Sequence, residues 1–258
     1  MKLKDKVALV TGGGRGIGQA IAVAFAKEGA NVMVAARSAD QLAETVQKIE
    51  AAGQKGIAVP ADLSQRETIA EFIKNVRSHF SNVDILVNNA GIGSGSNAKF
   101  LVDFDDDFWD TSLALNLTSP YLLSKAFLPE MISAGWGRII NISSVVGKMG
   151  VPTAVAYAAT KHGLIGLTRT AALETATTGV TVNAICPGPI RTAMLLRRIQ
   201  VSAEMYGTAA EQLEKSMNPM QRMLDPEEIG DLAVFLASNS GKSITGQSYT
   251  ISGGQIMH

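Results

Sequence analysis

Seven short apolar runs, nearly all followed by a longer amphipathic stretch, recur from one end of the chain to the other. The runs cover residues 7–10, 31–36, 56–60, 84–87, 138–142, 181–185 and 248–251 and are predicted as strands. The stretches 16–28, 40–52, 65–80, 106–133, 153–177 and 226–237 are predicted as helices. A strand that is apolar on both faces must be covered on both, and strand–helix alternation makes neighbouring strands parallel. Right-handed crossovers then give an α/β fold: one Rossmann-like domain over residues 1–258, a doubly wound parallel sheet of seven strands with helices on both faces. No internal repeat or low-complexity linker interrupts it. The rhythm breaks once, at 189–222, a long interval containing Met194, Met205, Met217 and Met220. An insertion of this kind reads as a substrate loop or lid; the plainer alternative is a surface helical excursion without a role in chemistry.

Composition narrows the class. A hydrophobic share of 46% is ample for a core buried on several sides. Lys and Arg total 23 against 23 for Asp and Glu, which argues against a nucleic-acid or anionic-membrane partner. A single cysteine, Cys186, excludes an intrachain disulfide and a cysteine-based metal cluster, and fits a reducing, cytoplasmic setting. Lys2, Lys4 and Lys6 precede an apolar run too short for a signal-peptide core, and no stretch approaches a membrane span.

Two places carry chemistry. The first strand ends in Thr11-Gly12-Gly13-Gly14-Arg15-Gly16-Ile17-Gly18, and a helical pattern begins at once. Glycines there let the backbone approach a phosphate, and the new helix offers its free amides and positive dipole end to that anion. Any tight strand–helix turn also wants glycine, but this placement in an alternating chain favours a dinucleotide. No Lys-Ser or Lys-Thr closes the motif, which disfavours a mononucleotide loop. The second place is 141–161, where Tyr157 and Lys161 stand four residues apart on one helix face. A phenol titrates near ~10, and an adjacent ammonium lowers that value by roughly one to three units, toward the range where general acid–base catalysis works best. Ser144, thirteen residues before Tyr157, leaves a strand end where its hydroxyl can hold a substrate oxygen. Tyr and Lys at this spacing are also ordinary amphipathic surface residues in many helices.

Taken together, Thr11-Gly-x-x-x-Gly-x-Gly18, Asn88-Asn89-Ala90-Gly91, Asn116, Ser144, Tyr157-x-x-x-Lys161 and Pro187-Gly188 occur in the order and spacing of the short-chain dehydrogenase/reductase family, and the chain resembles it from Lys6 to Gly254. The resemblance implies a nicotinamide cofactor across the carboxyl edge of the sheet, a catalytic set of Asn116, Ser144, Tyr157 and Lys161, and a helix-mediated homotetramer, with a homodimer as the alternative. It implies that Tyr157 exchanges a proton with the substrate oxygen and Ser144 holds that oxygen. Lys161 lowers the phenol pKa and grips the nicotinamide ribose. Asn116 anchors a water leading to solvent; on its residue type alone, Asn116 reads as a satisfied buried amide. Further cofactor contacts implied are Gly12, Gly14, Arg15, Gly16, Ile17, Gly18, Arg37, Asp62, Leu63, Asn88, Ala90, Gly91, Pro187, Gly188, Ile190 and Thr192.

The second strand ends Val34-Ala35-Ala36-Arg37-Ser38. An NAD site wants a carboxylate here for the ribose 2′-hydroxyl, whereas Ala36 occupies that position, followed by Arg37 and approached by Arg15. Two guanidiniums suit a 2′-phosphate, so NADP(H) is expected over NAD(H), unless both are merely solvated. Val145, Val146, Met149, Val151, Pro189 and Met194 suggest an apolar substrate pocket, with Ser144, Val146, Met149, Pro189 and Met194 as its contacts. The expected reaction interconverts a small ketone, diketone or hydroxy ketone and its secondary alcohol. The alternative is a 3-oxoacyl-carrier-protein reductase, whose members share Asn-Ile-Ser-Ser-Val-Val-Gly and Pro-Glu-Glu-Ile-Gly. Its basic docking patch is missing, because Gly135 and Thr178 stand at the corresponding positions. A different class, a catalytically silent NADP-binding sensor or scaffold, has no need of Ser144, Tyr157 and Lys161 together. His162 points away from Lys161's face, and Cys186 reads as a buried small residue. The acidic run 103–110 reads as a helix N-terminus with Phe108 and Trp109 packed inward, not as a cation site; no metal is expected.

Overall fold

The computed structural model describes residues 1–257 and contains β1 (Val7–Thr11), β2 (Asn31–Ala36), β3 (Gly56–Pro60), β4 (Ile85–Asn88), β5 (Gly137–Ile142), β6 (Val180–Pro187) and β7 (Ser248–Ile251). All pairings are parallel, in the order β3-β2-β1-β4-β5-β6-β7. The order reverses between β1 and β4, so the crossovers on either side lead away from each other and leave a crevice at the strands' carboxyl ends.

Residues along β1 alternate between two cores. Ala8 and Val10 join Val34, Ile140 and Ile185 under helices α1 (Gly16–Lys27) and α9 (Pro226–Ala237), which contribute Ile21, Phe25, Ile229 and Ala233. Val7 and Leu9 face the other way, with Met33, Leu86, Ile139 and Val182, against Phe72, Val76, Phe127 and Met131. Those last four come from α3 (Ile69–His79) and α5 (Ser119–Ser133). Each large side chain buried this way contributes about 1.5–3 kcal/mol, and the absence of a polar face on β1 is what forces helices onto both sides. The remaining helices are α2 (Ala39–Ala51), α4 (Asp106–Leu113), α6 (Val155–Glu174), α7 (Ala193–Tyr206) and α8 (Ala210–Ser216). No helix among the described residues is long and apolar enough to cross a membrane.

Three sequence expectations are modified. The helix expected over 106–133 is one rod, but a π-helical turn over Ala114–Thr118 joins α4 to α5. The helix expected from residue 153 starts at Val155, because Thr153 sits in the left-handed region at φ +60°, which ends helical continuity. The interval 189–222 is largely helical: α7 and α8, separated by Gly207 at φ +63° as the cap of α7, lie over the carboxyl edge of the sheet.

Candidate active site

The turn from β1 into α1 is built for close backbone approach. Gly12 and Gly16 have φ of +64° and +55°, and a β-carbon on Gly18 would overlap the Gly12 carbonyl oxygen. The turn is stitched to β4 at the point where strand order reverses. Asn89 Nδ2 donates to Thr11 O at 2.9 Å and Gly12 O at 3.1 Å, while Thr11 Oγ1 accepts from the Asn89 and Ala90 amides at 3.0 and 3.1 Å. Arg15 precedes α1 in extended backbone and no side chain caps the helix, so its first amides are left for a ligand. Thr192, capping α7 with its hydroxyl toward the Leu195 amide, packs its methyl group beside Gly16.

The candidate catalytic wall is assembled from the end of β5 and from α6, with the π turn behind it. Ser144 leaves β5 with its Oγ accepting from the Val146 amide at 3.1 Å. Buried polar bonds fasten α6 to that strand: Asn141 Nδ2 to Thr168 Oγ1 (2.9 Å), Ser143 Oγ to Lys161 O (2.9 Å) and Lys161 Nζ to Ile142 O (2.7 Å). Lys161 and Thr168, two helical turns apart, share the face that meets β5. A β-carbon on Gly147 would lie 2.5 Å from Ser143 Oγ, so a side chain there would push the segment after Ser144 off the helix. The Lys161 amine lies 5.6 Å from the centre of the Tyr157 ring. Ser144, Tyr157 and Lys161 line one cavity of about 480 Å³.

Asn116 is fully buried within the π turn. Its Oδ1 accepts from the Ile92 amide (2.9 Å), and its Nδ2 donates to Ile92 O (3.0 Å) and Thr160 Oγ1 (3.2 Å). The amide therefore ties the loop after β4 to α6, one residue before Lys161. π turns of this kind occur often at functional sites because they aim a side chain that a regular turn would rotate away.

Electrostatics depart from expectation at Tyr157. Burial raises the phenol above its ordinary value and Cys186 adds to the rise, while the nearby Ser144 hydroxyl pulls it down. Lys161 is itself desolvated: burial lowers its pKa to about 8, partly opposed by Cys186. Its amine donates to the Ile142 carbonyl, and the lowering expected of the phenol is outweighed by burial. Folding disfavours the charged amine, so the penalty is full below about pH 8 and vanishes as pH rises toward the ordinary lysine value of 10.5. Unfolding free energies of wild type and Lys161→Met, measured in urea from pH 7 to 10, are expected to shift toward wild type by on the order of 3 kcal/mol across that window. A pH-independent difference would show that the lysine titrates normally.

The other expected residues divide into three groups. Ile17, Gly91, Pro187, Gly188, Ile190 and Thr192 line the cavity with Tyr157 and Lys161, as do the substrate contacts Val146, Pro189 and Met194. Gly12, Gly14, Gly16, Gly18 and Ala90 form or adjoin the glycine turn, with Arg15 and Arg37 exposed beside it. Asp62 accepts from the Ser64 amide and hydroxyl at 3.0 and 2.7 Å. Burial raises its pKa, but Ser64 and then Arg37 bring it below the ordinary value, which places Arg37 near the end of β3. Three side chains lie elsewhere. Asn88 is buried and donates to Asn141 Oδ1 and Ser124 Oγ, Leu63 belongs to the core, and Met149 does not line the cavity. His162 is exposed, its Nδ1 against Ala158 O. Asp105 caps α4 through the Phe108 amide, and Phe108 packs edge-on to Phe104. Asn89 and Arg198 were not singled out as site residues; their partners lie tens of residues away and leave no local signal.

A nicotinamide dinucleotide fits these residues, because α1 begins straight after the glycine turn with no side-chain cap and leaves its first amides for a phosphate. A crevice of that shape beside a phenol, a hydroxyl and a desolvated amine defines a nicotinamide-dependent oxidoreductase acting on CH–OH or C=O groups. More particularly, the chain belongs to the short chain dehydrogenase family, whose model matches residues 6–201. It is 39% identical to a D-beta-hydroxybutyrate dehydrogenase of Cupriavidus necator over 98% of this chain and 99% of that one. It is 40% identical to the 3-oxoacyl-[acyl-carrier-protein] reductase FabG of Pseudomonas aeruginosa over the full length of both. Among solved structures, an actinorhodin polyketide ketoreductase with NADPH superposes with a TM-score of 0.91 at 33% identity, over 97% of each chain.

Proposed function

We propose that this enzyme is an NADP(H)-dependent oxidoreductase that interconverts a small carbonyl compound and its secondary alcohol. The observation that carries the reaction is the convergence of Ser144, Tyr157 and Lys161 on one wall of the cavity beside the glycine turn. The cofactor supplies or accepts the hydride. In reduction, Ser144 and Tyr157 hold the carbonyl oxygen. As hydride reaches the carbon, the carbonyl π electrons move onto that oxygen, which takes the proton from Tyr157. Burial moves the phenol pKa up, the direction that favours the acid form required in reduction. Lys161, held on Ile142 O, stands where its charge stabilises the phenolate left behind. Val146, Val151 and Leu195 give the cavity apolar walls.

The preference for NADP(H) is supported by Ala36, Arg37 and Arg15 at the end of β2 and by the NADPH in the polyketide ketoreductase. Dissociation constants for NADPH and NADH are expected to differ by at least about tenfold in favour of NADPH, as one charge-assisted hydrogen bond provides. Equal affinities would remove the NADP(H) part of the reading. An NADPH-oxidation screen across ketones, diketones and β-ketoacyl thioesters tests the reaction: turnover of at least one carbonyl class is expected, and none at all would refute it.

A further inference from the structure

The cavity over Tyr157 holds a second cation. Among the described residues, Lys161 and Arg198 are the only charged side chains lining it, and no carboxylate does. Arg198 stands on the inner face of α7, one turn after Met194 and one before Ser202, which line the cavity with it. The guanidinium is half-buried and fixed at one end: Nη2 donates to Thr153 Oγ1 at 2.8 Å and Pro152 O at 3.2 Å. Nη1 is buried and has no hydrogen-bond partner.

Other arginines in the chain are differently placed. Arg77 pairs with Glu130 at 2.6 Å, and Arg222 pairs with Glu228 through two bonds of 2.8 and 3.1 Å. Arg138 also has a buried donor, Nε, without a partner, but it lies outside the cavity, 4.4 Å from the Trp136 ring centre, and donates to two carbonyls. An always-charged guanidinium that lines the cavity and has no carboxylate partner, held only by a hydroxyl and a carbonyl, is a site for an anion.

We propose that Arg198 is the receptor for a carboxylate on the substrate, so that the cavity selects short oxo acids and the matching hydroxy acids over neutral ketones. The inference rests on the oxidoreductase reading above and names its substrate class. Thr153, which holds the guanidinium, lies four residues before Tyr157 at the entrance of the same helix. Ser144, Tyr157 and Arg198 line the same cavity of about 480 Å³, so one small molecule inside it can carry both the anion and the reacting oxygen. An acyl thioester carries no negative charge beside its oxo group and leaves the guanidinium without an anion. Burial moves the Arg198 pKa down, with Tyr206 opposing, whereas Glu228 moves that of Arg222 up, as expected for a cation without and with an anionic partner.

Acetoacetate and levulinate, each against its own methyl ester, provide the test, with kcat/KM measured for wild type, Arg198→Gln and Arg198→Lys. Wild type is expected to favour the acids by about 10- to 100-fold, the worth of one or two charge-assisted bonds. Arg198→Gln is expected to lose that ratio, chiefly through KM for the acids, and Arg198→Lys to keep part of it, since it retains charge but not the fork. Acetate is expected to compete with the carbonyl substrate in wild type. Esters used as well as acids by wild type, or a ratio unmoved by Arg198→Gln, would overturn the carboxylate assignment while leaving the oxidoreductase reading intact. Turnover of neither acids nor esters nor any other carbonyl would instead defeat the reading it rests on. If Arg198→Gln does not fold, acetate inhibition in wild type against Arg198→Lys decides: equal inhibition in both, or none in wild type, overturns the assignment.

Discussion

Tyr157→Phe is expected to lower kcat by about two to four orders of magnitude, the usual contribution of a positioned acid–base group. NADPH affinity should change far less, because the glycine turn and the free end of α1 are untouched by the substitution. The variant removes one oxygen from a half-buried ring and leaves the surrounding bonds in place: Lys161 to Ile142 O, Ser143 to Lys161 O and Asn141 to Thr168. A stopped-flow measurement with saturating NADPH separates the chemical step from binding. An unaffected rate would mean that the proton comes from another group, and a catalytically silent nucleotide binder would show no rate in either protein.

The second large effect is expected at the end of β2. Ala36→Asp puts a carboxylate where the sheet edge meets Arg37, with Asp62 already near that guanidinium. The new charge repels a 2′-phosphate and accepts a hydrogen bond from a 2′-hydroxyl. The ratio of NADPH to NADH dissociation constants is expected to move by about 100-fold or more toward NADH, equal to one or two charge-assisted bonds. Fluorescence titration of both cofactors against both proteins reads this directly. A ratio that stays put would mean that this corner of the sheet does not read the adenosine ribose.

The strands, most helices and the glycine turn were legible because each is written locally. Runs such as 31–36 are apolar on both faces, and Gly12 and Gly18 sit where only glycine avoids a clash. Tyr157, Lys161 and Ser144 were legible through spacing, and Asn116 only through the family resemblance; the first three line the cavity, while Asn116 ties the loop after β4 to α6. What escaped depends on distant partners. Nothing near Asn89 announces its bonds to Thr11 and Gly12, and nothing near Arg198 announces Thr153. The direction of the Tyr157 shift escaped for a related reason. Helix spacing places an amine near a phenol, but it reveals neither how burial shifts each group nor that the amine also donates to a strand carbonyl. Asn88 misled in the opposite way: its position beside the crevice is real, yet its side chain turns inward to Asn141.

The surplus residue in the turn over Ala114–Thr118 has a consequence for how this helix tolerates change. Each residue advances a helix by about a hundred degrees, so removing one residue here would smooth the rod and swing Asn116 off Ile92 and Thr160. A shorter, more regular version would make a better rod and a worse bracket. Length at this point is fixed by where one amide must aim, and the segment will accept substitutions along its exposed side far more readily than a deletion of any size.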